Sequence, residues 1–484
     1  MIRLIGGEMP GWNEDRPPAG GALYGYLADR LPAGARVLVA GPHEHALIEA
    51  LAARTAVTCL VRSQPEAERL DAAGLDVLCG TLSKLTEADR WDAVVAFDGV
   101  GRLCSVEGPQ YDWAECLRAL RNALLPGGLL LLTVENELGV HRLVDPAAAT
   151  AARTDDAWRS LGEFDDSMPG SPARLTDRLA GEELTLDWLG AAWPSPAAPT
   201  LIATPEALRT GPADALAAAA ASAVATAYAN RPALSDPRRL AASAVRGGIG
   251  AELAAAWLVI AHRAPRPAAT PALPPVLLGD GQVREVAPGP DGAWPLPAGR
   301  LLEELLLGAC LRHDLPTVRR LLTGWMAALP AATPDNVVVA GETFTRLDPG
   351  VPARADVLRG FASTLLTGGY AHPWPAATDL RTLTAILHGA AGLPGDVPAI
   401  PPGEDPPVPD SRREQQEQMR ALRRLLADAD ARAELYEREI AKRDAELTKA
   451  RVQIATFGGT FGYRMAKLGY GVARKARQRL RKRA

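Results

Sequence analysis

Arg36-Val37-Leu38-Val39-Ala40-Gly41-Pro42-His43-Glu44-His45 decides the fold of this chain. Four apolar residues in a row, Val37 to Ala40, read as a strand buried on both faces. Gly41 breaks the run, and Ala46-Leu47-Ile48-Glu49-Ala50-Leu51-Ala52 then reads as a helix. Strand, glycine turn and helix together open a doubly wound α/β sheet. In such sheets ligands bind beyond the carboxyl ends of the strands, so an active site is expected next to Gly41.

Working outward, the same alternation continues. Ala22 to Leu31 reads as a helix ended by Pro32 and Gly34. Val57–Val61, Asp76–Cys79, Trp91–Phe97 and Leu129–Val134 read as further strands, with Ala/Glu/Arg-rich helical segments between them. Trp113 to Leu125 is an amphipathic helix stopped by Pro126-Gly127-Gly128. Apolar strands alternating with helices imply a mostly parallel sheet covered on both faces.

Composition bounds the rest. The 484 residues are 47% hydrophobic and 23% charged, enough for two or three domains with a sizeable core. The net charge of −4 argues against a nucleic-acid partner for the chain as a whole. Cys59, Cys79, Cys104, Cys116 and Cys310 form no metal spacing, and an odd, scattered set fits a reducing compartment. The first residues lack a signal-peptide layout, and no apolar run reaches the ~18 residues of a membrane span. A cytoplasmic protein is expected.

Landmarks in residues 20–265 resemble class I S-adenosylmethionine-dependent methyltransferases. Leu124-Leu125-Pro126-Gly127-Gly128 is similar to the turn before their fifth strand, and Trp91 to Asp98 to their fourth. Glu135-Asn136-Glu137-Leu138-Gly139-Val140-His141-Arg142 resembles the segment after strand five in methyltransferases of bacterial surface-glycan clusters. Ala191-Ala192-Trp193-Pro194, running on to Pro199-Thr200-Leu201, resembles a later stretch of the same group. Ala254 to Ala261 would be the last strand, after a helical insertion near 205–250.

The resemblance implies S-adenosylmethionine as cofactor and a sugar or glycan hydroxyl as acceptor. It puts Gly41, Pro42, His43, Arg62 and Asp98 at the cofactor. Asp98 and His141 become candidate catalytic groups, since methyl transfer to oxygen needs a base for the hydroxyl proton. Asn136, Glu137 and Trp193 become candidate acceptor contacts. Two departures stand out. His43 and His45 occupy positions where the family has glycines, and Val61 or Arg62 stands where it has an acid for the ribose hydroxyls. His43-Glu44-His45 has no third ligand, so no metal site is expected. A non-catalytic glycan-assembly scaffold is the alternative reading.

The remaining chain divides by composition. Residues 1–21 read as a polar, flexible arm, and Pro-rich 266–297 as a linker. Residues 298–392 read as mainly helical. There Pro334 to Asp348 resembles the catalytic half of kinase-like domains: Asn336 and Asp348 fit its spacing, while Ala331 stands at the catalytic Asp position, so the resemblance is to a degenerate kinase. Residues 393–410 form a second Pro-rich linker.

Met419, Leu422, Leu426, Ala429, Ala433, Tyr436, Ile440, Leu447, Ala450 and Ile454 then follow a 3–4 spacing, interrupted by Arg443. Residues 411–455 are therefore expected to form a coiled coil, as an oligomerisation helix that joins copies of the chain or as a long hairpin partner. The tail 456–484 carries Arg464, Lys467, Arg474, Lys475, Arg477, Arg479, Arg481, Lys482 and Arg483, with no acid. Its apolar residues share one helical face, which suits peripheral attachment to an anionic membrane surface.

Overall fold

A computed structural model describes residues 1–14, 16–144, 165–228, 233, 235–265, 272–279, 281–393, 412–459 and 461–481. The strands are β1 (Ile2–Gly6), β2 (Arg36–Ala40), β3 (Ala56–Val61), β4 (Asp76–Gly80), β5 (Trp91–Ala96), β6 (Leu124–Glu135), β7 (Leu184–Trp193), β8 (Leu201–Ala203), β9 (Ala256–Arg263), β10 (Val276–Leu278), β11 (Arg284–Val286), β12 (Arg300–Leu301), β13 (Val337–Ala340) and β14 (Thr343–Arg346). The helices of the first part are α1 (Ala22–Ala28), α2 (His45–Ala52), α3 (Gln64–Ala72), α4 (Trp113–Asn122), α5 (Val140–Val144), α6 (Pro172–Gly181), α7 (Pro205–Thr210), α8 (Ala213–Ala227), α9 (Pro237–Arg246) and α10 (Gly250–Leu253). Those that follow are α11 (Leu302–Leu311), α12 (Leu315–Ala328), α13 (Val357–Thr367), α14 (Leu380–Ala390), α15 (Arg412–Gly459) and α16 (Phe461–Arg481).

Among the described residues, eleven strands form one sheet in the order β1-β4-β3-β2-β5-β6-β9-β7-β8-β10-β11. From β1 to β6 every neighbouring pair is parallel; β9 then runs antiparallel between β6 and β7. This is a Rossmann-like α/β sheet. Its strand order reverses between β2 and β5, so the crevice at the switch point opens beyond Ala40 and Ala96.

Alternate residues supply the two faces. Leu38, Ala40, Leu60, Val94, Ala96, Leu130 and Leu132 belong to one core, with residues of α4, α6, α8 and α9. Val37, Val39, Cys59, Val61, Val95, Leu129 and Leu131 belong to the other, with residues of α1, α2 and α3. Burial on both faces is why these strands read as continuous apolar runs.

Several expectations need correction. Segment 1–21 is not a free arm: β1 pairs with β4, Met9 bridges to Ser63 and Ala19 bridges to His43. Part of 266–297 belongs to the sheet, because β10 pairs with β8 and β11, and Leu277 is buried. β6 starts five residues before Leu129, with the Pro126-Gly127-Gly128 turn absorbed as an irregularity in its pairing with β5.

Residues 302–391 build their own core from α11 to α14 together with β13, and add a small sheet, β12-β13-β14. The expected kinase-like pair does not form a ligand set. The Asn336 side chain donates to the Asp348 carbonyl at 2.9 Å and accepts from the Asp348 N–H at 2.8 Å. It clamps the ends of a hairpin. Among the described residues no group of His, Cys, Asp and Glu side chains is arranged to hold a metal. α9 and α11 are tied by a buried ion pair, in which Arg238 Nε donates to Glu303 Oε2 at 2.5 Å and Nη1 reaches Tyr370 Oη at 3.1 Å. The second linker lies outside the described residues apart from Leu393. No described helix is long and apolar enough to cross a membrane.

Candidate active site

Beyond the ends of β2 and β5, where the fold places a ligand crevice, lies Gly41, whose φ of +90° favours glycine. A Cβ at that position would lie 3.5 Å from Asp98, so the first turn and the end of β5 approach closely. His43 spans the two. Its Nε2 accepts from the Phe97 N–H at 3.1 Å, so Nδ1 carries the proton and donates to the Gly41 carbonyl at 2.9 Å. The ring is only 2% exposed. Burial pulls its pKa down to about 4, which keeps the ring neutral at pH 7. His43 therefore stitches the switch point together; it does not line an open crevice. His45, on α2, is partly exposed, with Nε2 3.8 Å from Glu66.

The N-terminal segment lies across the same edge. Ala19 N–H donates to the Pro42 carbonyl at 3.2 Å, and Glu44 N–H donates to the Ala19 carbonyl at 2.9 Å. The Glu44 carboxylate accepts from Gly21 N–H at 3.1 Å. Glu14 reaches deeper. Its two oxygens accept from Arg62 Nε and Nη2, both at 2.9 Å, and Oε2 is 3.9 Å from Arg102. The Arg62 and Arg102 side chains are 3% and 5% exposed, so this carboxylate sits between two buried cations. Arg62 Nη1 also donates to the Cys104 carbonyl at 2.9 Å.

Asp98 is paired with Arg102, whose Nε donates to Oδ2 at 2.8 Å. Burial raises the Asp98 carboxyl above its usual range, against the opposing pull of Arg102. Arg102 also donates to the carbonyls of Arg16 at 2.8 Å and Pro17 at 2.9 Å, which fastens the N-terminal segment to the end of β5.

His141 lies beyond β6 and is held by Glu135. Glu135 Oε1 accepts from His141 Nε2 at 3.1 Å and from Arg142 Nε at 2.9 Å, and Oε2 is 3.8 Å from Arg16. Burial works against the charge on Glu135, but His141, Arg142 and Arg16 outweigh it and hold the carboxyl at about 2. An ionised Glu135 fixes the proton on Nε2 and leaves Nδ1 as an acceptor. Nδ1 is buried and has no protein partner. A carboxylate orients the imidazole as in a general base, but Nδ1 packs against Gly139 and is closed to solvent in this structure.

The three expected acceptor contacts are not assembled. The Asn136 side chain donates to the carbonyls of Glu252 at 2.6 Å and Ala254 at 2.8 Å and accepts from Leu138 N–H at 3.0 Å, so it closes the loop onto the start of β9. Trp193, the last residue of β7, is fully buried in the core with Trp257 and Leu201 instead of lining an acceptor site. Glu137 is exposed on a turn. Sequence reasoning also missed Glu14, Arg102 and Glu135. The i,i+4 spacing of Asp98 and Arg102 was a readable signal, whereas Glu14 lies 48 residues from Arg62 and no local pattern joins them.

A Rossmann-like sheet with this edge is the class the structure defines. No protein-family model matches the chain. No curated protein matches it either. Among solved structures the chain is similar to the 4+2 cyclase SpnF, at 16% identity and a TM-score of 0.27, covering 51% of this chain and 80% of that one. A second is the Burkholderia thailandensis 1,6-didemethyltoxoflavin-N1-methyltransferase with bound S-adenosylhomocysteine, at 12% identity and a TM-score of 0.26, covering 50% and 76%. A third is a geranyl diphosphate methyltransferase in complex with S-adenosylmethionine, at 15% identity and a TM-score of 0.29, covering 50% and 84%. Neighbours of this chain thus include S-adenosylmethionine-dependent methyltransferases with that cofactor or its product bound. Likeness at this level carries no assignment of substrate.

Proposed function

We propose that this protein transfers a methyl group from S-adenosylmethionine to a hydroxyl of a sugar or surface-glycan precursor at the cytoplasmic membrane face. The observation that carries the reading is the Glu14 carboxylate seated between Arg62 and Arg102 at the switch point. It is an intramolecular occupant of a carboxylate site, and the methionine end of the donor carries such a group; this reading assigns Arg62 to that carboxylate and not to the ribose hydroxyls that the resemblance puts at its position. Arg62 suits that role by its forked geometry, since guanidinium and carboxylate pair through two parallel hydrogen bonds.

Gly41 supplies the bare turn beside that site, and Asp98 the polar group at the end of β5. When bound, the donor supplies an electrophilic methyl group on a sulfonium. The residues of this chain would do the rest: Arg62 and Arg102 hold the carboxylate, and Nδ1 of His141, once freed from its packing against Gly139, takes the acceptor proton while Glu135 holds the ring. The glycan acceptor rests on the resemblance of residues 135–142, and the membrane location on the acid-free tail.

A specific observation favours a second reading, a non-catalytic assembly scaffold. At the switch point Ala19 bridges to His43, His43 accepts from the Phe97 N–H, and Glu14 pairs with Arg62, so the N-terminal segment covers the ends of β2 and β5. Methyl transfer therefore requires the N-terminal segment to withdraw. Calorimetric titration of the full chain with S-adenosylhomocysteine separates the two. The enzyme reading expects one-to-one binding that Arg62→Ala abolishes. No heat at millimolar ligand, from protein shown to be folded, leaves the scaffold.

A further inference from the structure

The long helix α15 exposes an apolar stripe to solvent. Met419, Leu422, Leu426, Tyr436, Ile440 and Leu447 are 51–64% exposed, far above the exposure of the same residue types in the core. They recur at alternating three- and four-residue steps. Met419, Leu426, Ala433, Ile440 and Leu447 thus take one seam position (a), and Leu422, Ala429, Tyr436, Arg443 and Ala450 the other (d). An amphipathic helix of 48 residues with a composition this polar removes such a seam from water by laying it against a similar seam, and the charges beside it decide which.

The charges beside the seam select the partner and its direction. Arg432 and Glu446 fall at the g position, Glu437 and Arg451 at e. In a parallel, in-register pair each g residue meets the e residue five positions on in the other helix. Arg432 then faces Glu437, and Glu446 faces Arg451, each twice. Glu439 meets Asp444 in the same register. That like-charged pair is the one adjacent to Arg443, the seam's cation. An antiparallel pair fares worse. The e positions run Arg423, Asp430, Glu437, Asp444, Arg451, so any well-overlapped antiparallel register sets two of the central acids against each other.

We infer that α15 pairs with α15 of a second copy of this chain as a parallel, in-register, two-stranded coiled coil. The occupant is the chain itself, because the charge pattern is complementary to itself in that register. The arrangement brings the two basic segments that follow residue 455 to the same end, where they meet one surface together and gain from each other's attachment. It does not depend on what the α/β part catalyses.

Sedimentation equilibrium of the full chain, with three variants, tests it. The full chain is expected to dimerise reversibly. Arg432→Glu converts two attractive contacts per dimer into repulsive ones and should weaken the dimer by about tenfold. Adding Glu437→Arg to that variant should restore it. Leu422→Cys places matched seam thiols opposite each other only in the parallel register. It should give a covalent dimer with oxidised glutathione, against a low background because the five native cysteines are buried. A monomer at every concentration overturns the inference. So does a dimer indifferent to Arg432→Glu, or a dimer whose Leu422→Cys variant fails to cross-link. All the substituted positions are solvent-exposed on α15, so loss of folding does not cloud the result.

Discussion

Replacing Glu14 by Ala removes the carboxylate that occupies the Arg62–Arg102 site. Both Glu14 oxygens bond Arg62 at 2.9 Å, and the two side chains are 11% and 3% exposed. Removing one partner of a buried pair costs about 3–5 kcal/mol. The Cys104 carbonyl stays on Arg62, which places the loss near the lower end, about 3 kcal/mol. That loss falls on the closed state of segment 9–21. A ligand that binds only when the segment is withdrawn then gains apparent affinity in proportion, until the open state predominates. At 1.4 kcal/mol per tenfold, the ceiling is about a hundredfold. The assay is calorimetric titration with S-adenosylhomocysteine at pH 7, wild type against Glu14→Ala, with folding checked by circular dichroism. An unchanged or weaker dissociation constant in the folded variant would refute the competition between Glu14 and the ligand.

Three further outcomes follow from the structure. His43 is buried neutral with a pKa near 4, against 6.5 unfolded; its contribution is therefore present above pH 6.5 and lost as the pH falls towards 4. Urea denaturation should show a loss of roughly 3 kcal/mol across that window, largely absent in His43→Gln; an equal loss in both would contradict it. Burial raises Glu303 to about 7 even with Arg238 beside it. Arg238→Ala should thus leave Glu303 protonated at pH 7 and destabilise the protein by about 3 kcal/mol in urea, and a change below 1 kcal/mol would count against the clamp between α9 and α11. Deleting residues 456–484 should release the protein from anionic liposomes, each lost cation near the surface removing about 1 kcal/mol, whereas unchanged co-sedimentation would exclude the tail as the anchor.

What could be read in the sequence depended on how local the cause was. β2, β3, β5, β6 and β9 were legible because burial on both faces demands unbroken apolar runs. β1 was not: Ile2–Gly6 is an edge strand whose burial is partial, and its pairing with β4 is set by tertiary contact. β7 was hidden by Asp187 and Gly190, and β10 by the prolines before it. Near the site, the turn at Gly41 and the position of Asp98 after β5 were readable because turn geometry and strand ends are local. The roles of His43, Asn136 and Trp193 were misread because each depends on which backbone or core the fold brings against it. Arg62 was noticed as a charge of the wrong sign; that its partner would be Glu14, from a segment taken for a loose arm, has no signature in the chain.

On the proposed reading, the N-terminal segment and the methyl donor compete for one crevice. Hydrogen exchange of the Ala19 and Glu44 amides, which bond the segment to the β2 turn, reads that competition directly. Saturating S-adenosylhomocysteine should deprotect both amides while leaving the β2–β3 ladder protected. If both amides keep their protection, or gain it, when the ligand is bound, the segment is not displaced and the account is wrong.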